Sequence, residues 1–533
     1  MIGMIRAEQD PASASALVLA QTIDTQLRAE LPTNADSMPV AGRTDDEAFL
    51  RRASQDLVGA LPTPAEITAF ALDPAADKRD RAVERLLADP RYGENWARYF
   101  RDMILFRRTD DRSLITRQSV TKFLTEQLNQ GAGWDSIAKA FITASGDVRE
   151  NGNTALIMAQ MGQAVDIAAE TARIFLGIQI QCAQCHDHKT DRWTREQFHE
   201  LAAFFPRVTV RPVRDGEKRV SFAIASRDAG RPSKKPNGKN GSPEHFMPDL
   251  QDPSAAGTQM TPVFFVSGQK LELGTKDADR RQQLAEWITA PSNPWFAKAL
   301  VNRMWAELVG HGFYEPIDDL GPDRTPTAPK TIELLSQEFA NHRYDVKWLL
   351  RTIMATEAYQ RASRSPNEEG PTTFAANCPQ PLRADQVFSA LAAALAIDES
   401  QFAPPAGQQG LGAQRFARGP RAEFERTFGY DPSAPRDEVA ASIPQALLMM
   451  NSPFLNRAIS AKNSNTVLNK LLAENADDET IATELYLRCL AREPEQVELA
   501  TCLSYVTASP DRAEAFEDIL WALVNSTEFT RRK

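Results

Sequence analysis

Apolar residues recur three and four positions apart along most of this chain, a spacing that predicts one amphipathic helix after another. From Thr44 the segment TDDEAFLRRASQDLVGALPTPAEITAF predicts helix, proline-marked turn and helix, with Thr44 and Thr63 as N-caps and Pro64 in a first turn that needs no amide donor. A third helix is expected at about 77 to 88. In YGENWARYFRDMILF, the residues Trp96, Tyr99, Phe100, Met103 and Leu105 fall mostly on one helical stripe, which predicts core. Three segments, RLLADPRY, RTIMATEAY and WALVNSTEF, share an apolar helix end, a short polar residue, two further positions and an aromatic. Each follows a helix started by proline, at Pro64, Pro326 to Pro329 and Pro494, and together they read as three diverged helical modules.

The period changes only once. VTVRPVRDGEKRVSFAIA alternates apolar and polar residues around Asp215-Gly216, which predicts a β-hairpin near 207–225. RDAGRPSKKPNGKNGSP follows and predicts an exposed loop, and FAPPAGQQGLGAQRFARGPR at 402 to 421 predicts a second linker. The expected fold class is therefore mainly α, a multi-module helical protein with a small hairpin insert. Its expected layout is a partly ordered leader at 1–43, a helical domain at 44–206, the hairpin and loop at 207–275, and a second helical domain at 276–533.

Composition narrows the function classes. Among 533 residues, 42% apolar and 25% charged is a globular balance, and the net charge of -10 argues against a broad nucleic-acid surface. The basic run Arg231 to Lys239 is short and reads as a solvated loop tip. No stretch approaches the roughly 18 uninterrupted apolar residues of a membrane helix, so the chain is expected not to span a membrane. At the N-terminus Arg6 is followed by Glu8 and Asp10 and the apolar part runs only from Ala16 to Ala20, so no signal peptide is visible.

The chemistry concentrates in QCAQCHDHKT. Cys182-Ala-Gln-Cys185-His186 offers two thiols placed to add across the two vinyl groups of one porphyrin edge, followed at once by a histidine able to ligate iron. That is the pattern for covalent haem c on Cys182 and Cys185 with His186 as ligand. A thioredoxin-like pair would sit at a helix N-terminus after a strand, whereas this one follows a helix. A structural Zn site using Cys182, Cys185 and either His186 or His188 would normally show a second ligand pair at knuckle spacing, and none is visible. Cys378, Cys489 and Cys502 read as buried thiols.

The surroundings suit a flat apolar ligand. Upstream, Ile167, Ala168, Ala172, Ile174, Phe175 and Ile178 form a helical stripe expected to supply an apolar wall. Downstream, Thr194 and Gln197 form a capping box opening a helix whose apolar face is Phe198, Leu201, Ala202 and Phe205. His188 and His199 read as surface or hydrogen-bonded histidines, and His199 is expected to turn away from the core. For the opposite face of the iron the candidates are Met158, Met161, His245 and Met247. Met247 is taken, because it follows a long loop and precedes Pro248, as the distal methionine does in many small c-type cytochromes. Asp318, Asp319 and Asp323 could serve a hydrolase as acid and base, but their place before a proline-marked helix start favours caps and turns. Asn302, Arg303 and Trp305 read as a packed hydrogen-bonding knot.

FLGIQIQCAQCHDHKTDRWTREQFHELAAFF closely resembles the PSCyt-type cytochrome-like domain of unknown function found in planctomycetes and their relatives. LAEWITAPSNPWFAKALVNRMWAELVGHGFYEPIDDLGP is similar to its PSD-type companion, and the resemblance runs on through LRADQVFSAL, SIPQALLMMNSPFLNRAI and ILWALVNSTEF. It spans nearly everything from Thr44 to Phe529, with Cys182 to Lys189 and Asn302 to Trp305 its most specific parts. The resemblance implies an exported, periplasmic haem protein acting in electron transfer or as an accessory to an oxidoreductase. It also implies neighbours concerned with breakdown of extracellular polymers such as polysaccharides, and names neither a reaction nor a redox partner. Many relatives carry a further N-terminal cytochrome c domain, whereas residues 1 to 44 here hold no cysteine. The alternatives are a non-redox scaffold with a structural metal at the Cys/His cluster, and a polymer hydrolase.

Overall fold

The computed structural model describes residues 11–31, 40–215, 219–228, 243–252, 254–364, 374–398, 419–434, 442–474 and 477–532. It is mainly helical, with small sheets of two or three strands. Val208–Asp215 and Arg219–Ser226 form the expected antiparallel hairpin, in register from Val208 opposite Ser226 to Asp215 opposite Arg219. Gly146–Asp147 adds a third strand along the second arm. The hairpin tip at 216–218, most of the expected loop with its basic run, and most of the 402–421 linker lie outside the described residues. At all three repeated segments a helix stops at a short polar residue and a new one starts one to three residues on. Lys78–Ala88 gives way to Arg91–Leu105, Val346–Ala355 to Glu357–Gln360, and Arg512–Val524 to Thr527–Thr530. Among the described residues no helix is long and apolar enough to cross a membrane.

The chain divides into two compact units. The first comprises Met1–Thr33, Trp96–Thr356 and Asp431–Pro435. Its core is aromatic: Phe100 lies 4.7 Å from Trp134, which lies 6.0 Å from Phe175, and the predicted stripe of Trp96, Tyr99, Phe100, Met103 and Leu105 is buried throughout. Within the stretch read as a leader, Pro11–Glu30 is a helix. The carboxylate of Glu30 accepts from the amides of Lys330 and Thr331 at 2.7 and 3.0 Å, capping the Pro329–Asn341 helix, which has no side-chain cap from its own N-cap residue. Arg281, buried and paired with Asp277 at 2.8 Å, donates to the carbonyls of Ile142 and Ala144 and so closes the end of the Trp134–Ile142 helix.

The second unit comprises Asn34–Asn95, Glu357–Tyr430 and Arg436–Lys533. The cap of its Asp46–Val58 helix is Asp45, whose carboxylate accepts from the Ala48 amide at 2.7 Å, one residue beyond the expected Thr44. Thr63, Pro64 and Glu66 form a complete capping box with proline in the first turn. The core gathers Phe388, Leu391, Leu455, Leu485, Phe516 and Phe529. Within it Asp56 is held by Arg532 at 2.6 and 2.9 Å and by the Tyr359 hydroxyl at 2.9 Å. Cys489 and Cys502 are buried thiols, burial pushing Cys489 up to about 12, and Cys378 is half-buried.

Candidate functional site

The helix Ala164–Leu176 ends at Gly177, whose backbone takes the left-handed conformation that glycine adopts without strain. The chain then enters a 3-10 turn, Ile180–Gln184, anchored by buried Ile180 and Ala183. Three residues per turn carry positions i and i+3 to one side, and Cys182 and Cys185 are both exposed, free thiols. His186 is also exposed, with its Nδ1 2.7 Å from the carbonyl oxygen of Asp187. A carbonyl can only accept, so Nδ1 carries the hydrogen and, in the neutral ring, Nε2 keeps its lone pair. The Asp187 carboxylate accepts from the Arg195 amide at 2.9 Å, and Thr194 and Gln197 form the expected capping box at the start of Arg195–Ala202. An anion and a box at one helix start fix the distance between the Cys/His turn and the helix after it.

His199 departs from expectation. It is only 1% exposed and faces inward together with Phe198 and Leu201. Its Nε2 lies 3.0 Å from the Gln184 carbonyl and its Nδ1 lies 2.9 Å from Nε2 of His245. Because the carbonyl takes the hydrogen on Nε2, His199 accepts from His245 through Nδ1, which sets the tautomer of both rings. Burial, then the neighbouring His199, pulls His245 down to about 4, and burial lowers His199 as well. The pair stacks with ring centres 5.2 Å apart and pins the carbonyl of Gln184, between the two cysteines.

His245 leads into Phe246–Met247, a short strand paired with Thr258–Gln259 that lies against the Arg195–Ala202 helix. Arg195 ties the segment down by donating to the Pro248 carbonyl at 2.5 Å. The structure thus brings residues 245–248 beside the Cys/His turn, with Met247 half-buried. Met158, by contrast, is fully buried in the core. The residues of the expected apolar wall, Ile167, Ala168, Ala172, Ile174, Phe175 and Ile178, are all buried in the protein's own core.

Two of the acidic candidates for hydrolysis are engaged elsewhere. Asp318 is buried between Arg303 and Arg173, the latter at 3.0 Å; burial opposes ionisation, but the two guanidinium groups hold its carboxyl below the ordinary value. Asp319 pairs with Arg324 at 2.7 Å. Asn302 donates to the carbonyls of Tyr314 and Ile317 and accepts from the Tyr314 amide, its part in the expected knot. Among the described residues no three His, Cys, Asp or Glu side chains gather in a group able to hold a metal ion. The donors at the turn, two free thiols and an imidazole with Nε2 available, fit covalent attachment of a haem on an exposed face.

The profile of PSCyt2, described as a protein of unknown function (DUF1549), matches residues 22–210. That of PSD1, described as a protein of unknown function (DUF1553), matches residues 280–506. No curated protein and no solved structure matches the chain.

Proposed function

From a chain that carries the PSCyt2 and PSD1 domains in that order, both of unknown function, we propose a single covalent haem site on Cys182 and Cys185, with His186 as iron ligand, serving electron transfer or an accessory role to an oxidoreductase. The observation that carries this reading is the exposed, unpaired state of both thiols, Cys182 within the 3-10 turn and Cys185 just after its end, beside a histidine whose Nδ1 is taken by the Asp187 carbonyl. Each thiol would add across one vinyl group, sulfur to one carbon and hydrogen to the other, with no net exchange of electrons. Bound there, the group supplies one-electron chemistry. The chain's own contribution is positional: Asp187 orients His186 through its carbonyl, and His199 holds the turn through Gln184. Met247 would be the second side chain to hold the iron, since His245 is already hydrogen bonded to His199, and a thioether there would raise the potential. Because haem ligation takes place outside the cytoplasm, this reading includes export.

Produced with an export signal alongside haem-ligation machinery, the protein is expected to gain the mass of one haem and keep it through denaturing electrophoresis. Cys182→Ala with Cys185→Ala is expected to lose it. Unchanged mass in the wild type under those conditions would sink the reading, and bound zinc in its place would support a structural metal. In loaded protein, Met247→Ala is expected to abolish the weak far-red band of Met-ligated ferric haem and lower the potential, with His245→Ala leaving both. The reverse pair of results would assign the ligand to His245.

A further inference from the structure

A turn far along the chain closes on the Cys/His segment. Residues 318–324 belong to the PSD1 match and residues 177–194 to the PSCyt2 match, and both lie in the first compact unit. Ahead of the cysteines, the Leu320 amide donates to the Gly177 carbonyl at 2.7 Å, and a Cβ at Gly177 would press on the Leu320 side chain. Behind them, Arg324 donates to Thr190 Oγ1 at 3.1 Å while paired with Asp319 at 2.7 Å. The Asp191 carboxylate lies so close over Gly321 that any Cβ there would run into it. The turn is itself fixed from below, where buried Asp318 joins Arg303 to Arg173, one helical turn before Gly177. The segment with both cysteines and His186 is therefore held at each end by one turn.

We infer that Gly321 and Arg324 are positioning residues for the Cys182–His186 site, so that the PSD1 domain supplies the support on which the PSCyt2 motif depends. The inference rests on contacts of the polypeptide alone and holds whether or not the thiols carry haem. Its test uses unloaded full-length protein, so a failure of haem attachment leaves it testable and its own failure leaves attachment open.

Arg324→Ala removes the bridge from Thr190 to Asp319 without adding volume. Amide exchange over residues 186–195 is expected to accelerate roughly three- to tenfold, as the loss of one or two hydrogen bonds predicts, with exchange in the 208–226 hairpin unchanged. Alkylation of Cys182 and Cys185 should change relative to that of Cys378 in the same molecules. Gly321→Ala should give the same local signature, and Gly321→Ala with Asp191→Ala should return toward wild type, because the second change removes the group the new methyl meets. Wild-type exchange and alkylation in Arg324→Ala would overturn the inference, as would strictly additive effects in the Gly321 and Asp191 pair. Should Gly321→Ala fail to fold, Arg324→Ala decides alone.

Discussion

Glu200 neighbours His199 on the Arg195–Ala202 helix, and burial, with the charge of Glu196 adding to it, pushes its carboxyl up to about 7. A carboxyl whose folded value is raised contributes stability that is fully present below its unfolded value of 4.5 and is lost as pH rises through about 7. Glu200→Gln is therefore expected to match wild type at pH 4 and to exceed it at pH 8 by about 1 kcal/mol, a figure reduced for solvent screening of a half-exposed group. Urea unfolding at the two pH values checks it; equal stabilities at pH 8 would show that the group is solvated. At this scale the sequence reveals which groups covalent spacing keeps together: Cys182, Cys185 and His186 lie within five residues and are all exposed. His199 is not, because what turns it inward is His245, and no local pattern links the two. Asp191 over Gly321 is hidden for the same reason: an aspartate and a glycine in separate loops carry no sign of their contact.

Elements are legible where their signals are local. The N-cap at Thr63, the capping box at Thr194 and the hairpin alternation depend on residues three apart or two apart, and all three form as expected. Thr44 misleads by one residue because Asp45 beside it is an equally good cap and is the one that reaches the Ala48 amide. The stripe on Ala164–Leu176 is visible as a stripe, but periodicity cannot say whether an apolar face meets a ligand or the protein's own core, and here it meets the core. The helix after the motif has only eight residues, so its start weighs heavily. Thr194→Ala removes the oxygen that accepts from the Gln197 amide at 3.2 Å and is expected to cost about 1 kcal/mol in urea unfolding, with Thr194→Ser close to wild type. No loss in the alanine variant would mean that the Asp187 carboxylate, bonded to the Arg195 amide, caps the helix without help.

For the whole molecule, family boundaries and compact units do not coincide. The PSCyt2 match at 22–210 and the PSD1 match at 280–506 each contribute to both units, since the second unit alone joins Asn34–Asn95 to Glu357–Tyr430 and Arg436–Lys533. A chain cut between 275 and 276 would divide both units. In the first, Arg173 would lose Asp318, and the carbonyls of Ile142 and Ala144 would lose Arg281. In the second, buried Asp56 would lose Arg532 and the Tyr359 hydroxyl together. Breaking one buried pair costs about 3–5 kcal/mol, and a domain holds only about 5–15 kcal/mol in total, so two such losses plus the bared core exceed what either fragment could hold. Residues 1–275 and 276–533 made separately are thus expected to show no cooperative thermal transition. Made together they should co-purify and recover one, because every lost partner is present on the other fragment. A sharp transition from 1–275 alone would show instead that the PSCyt2 domain folds as an independent module without the partners that the PSD1 domain supplies.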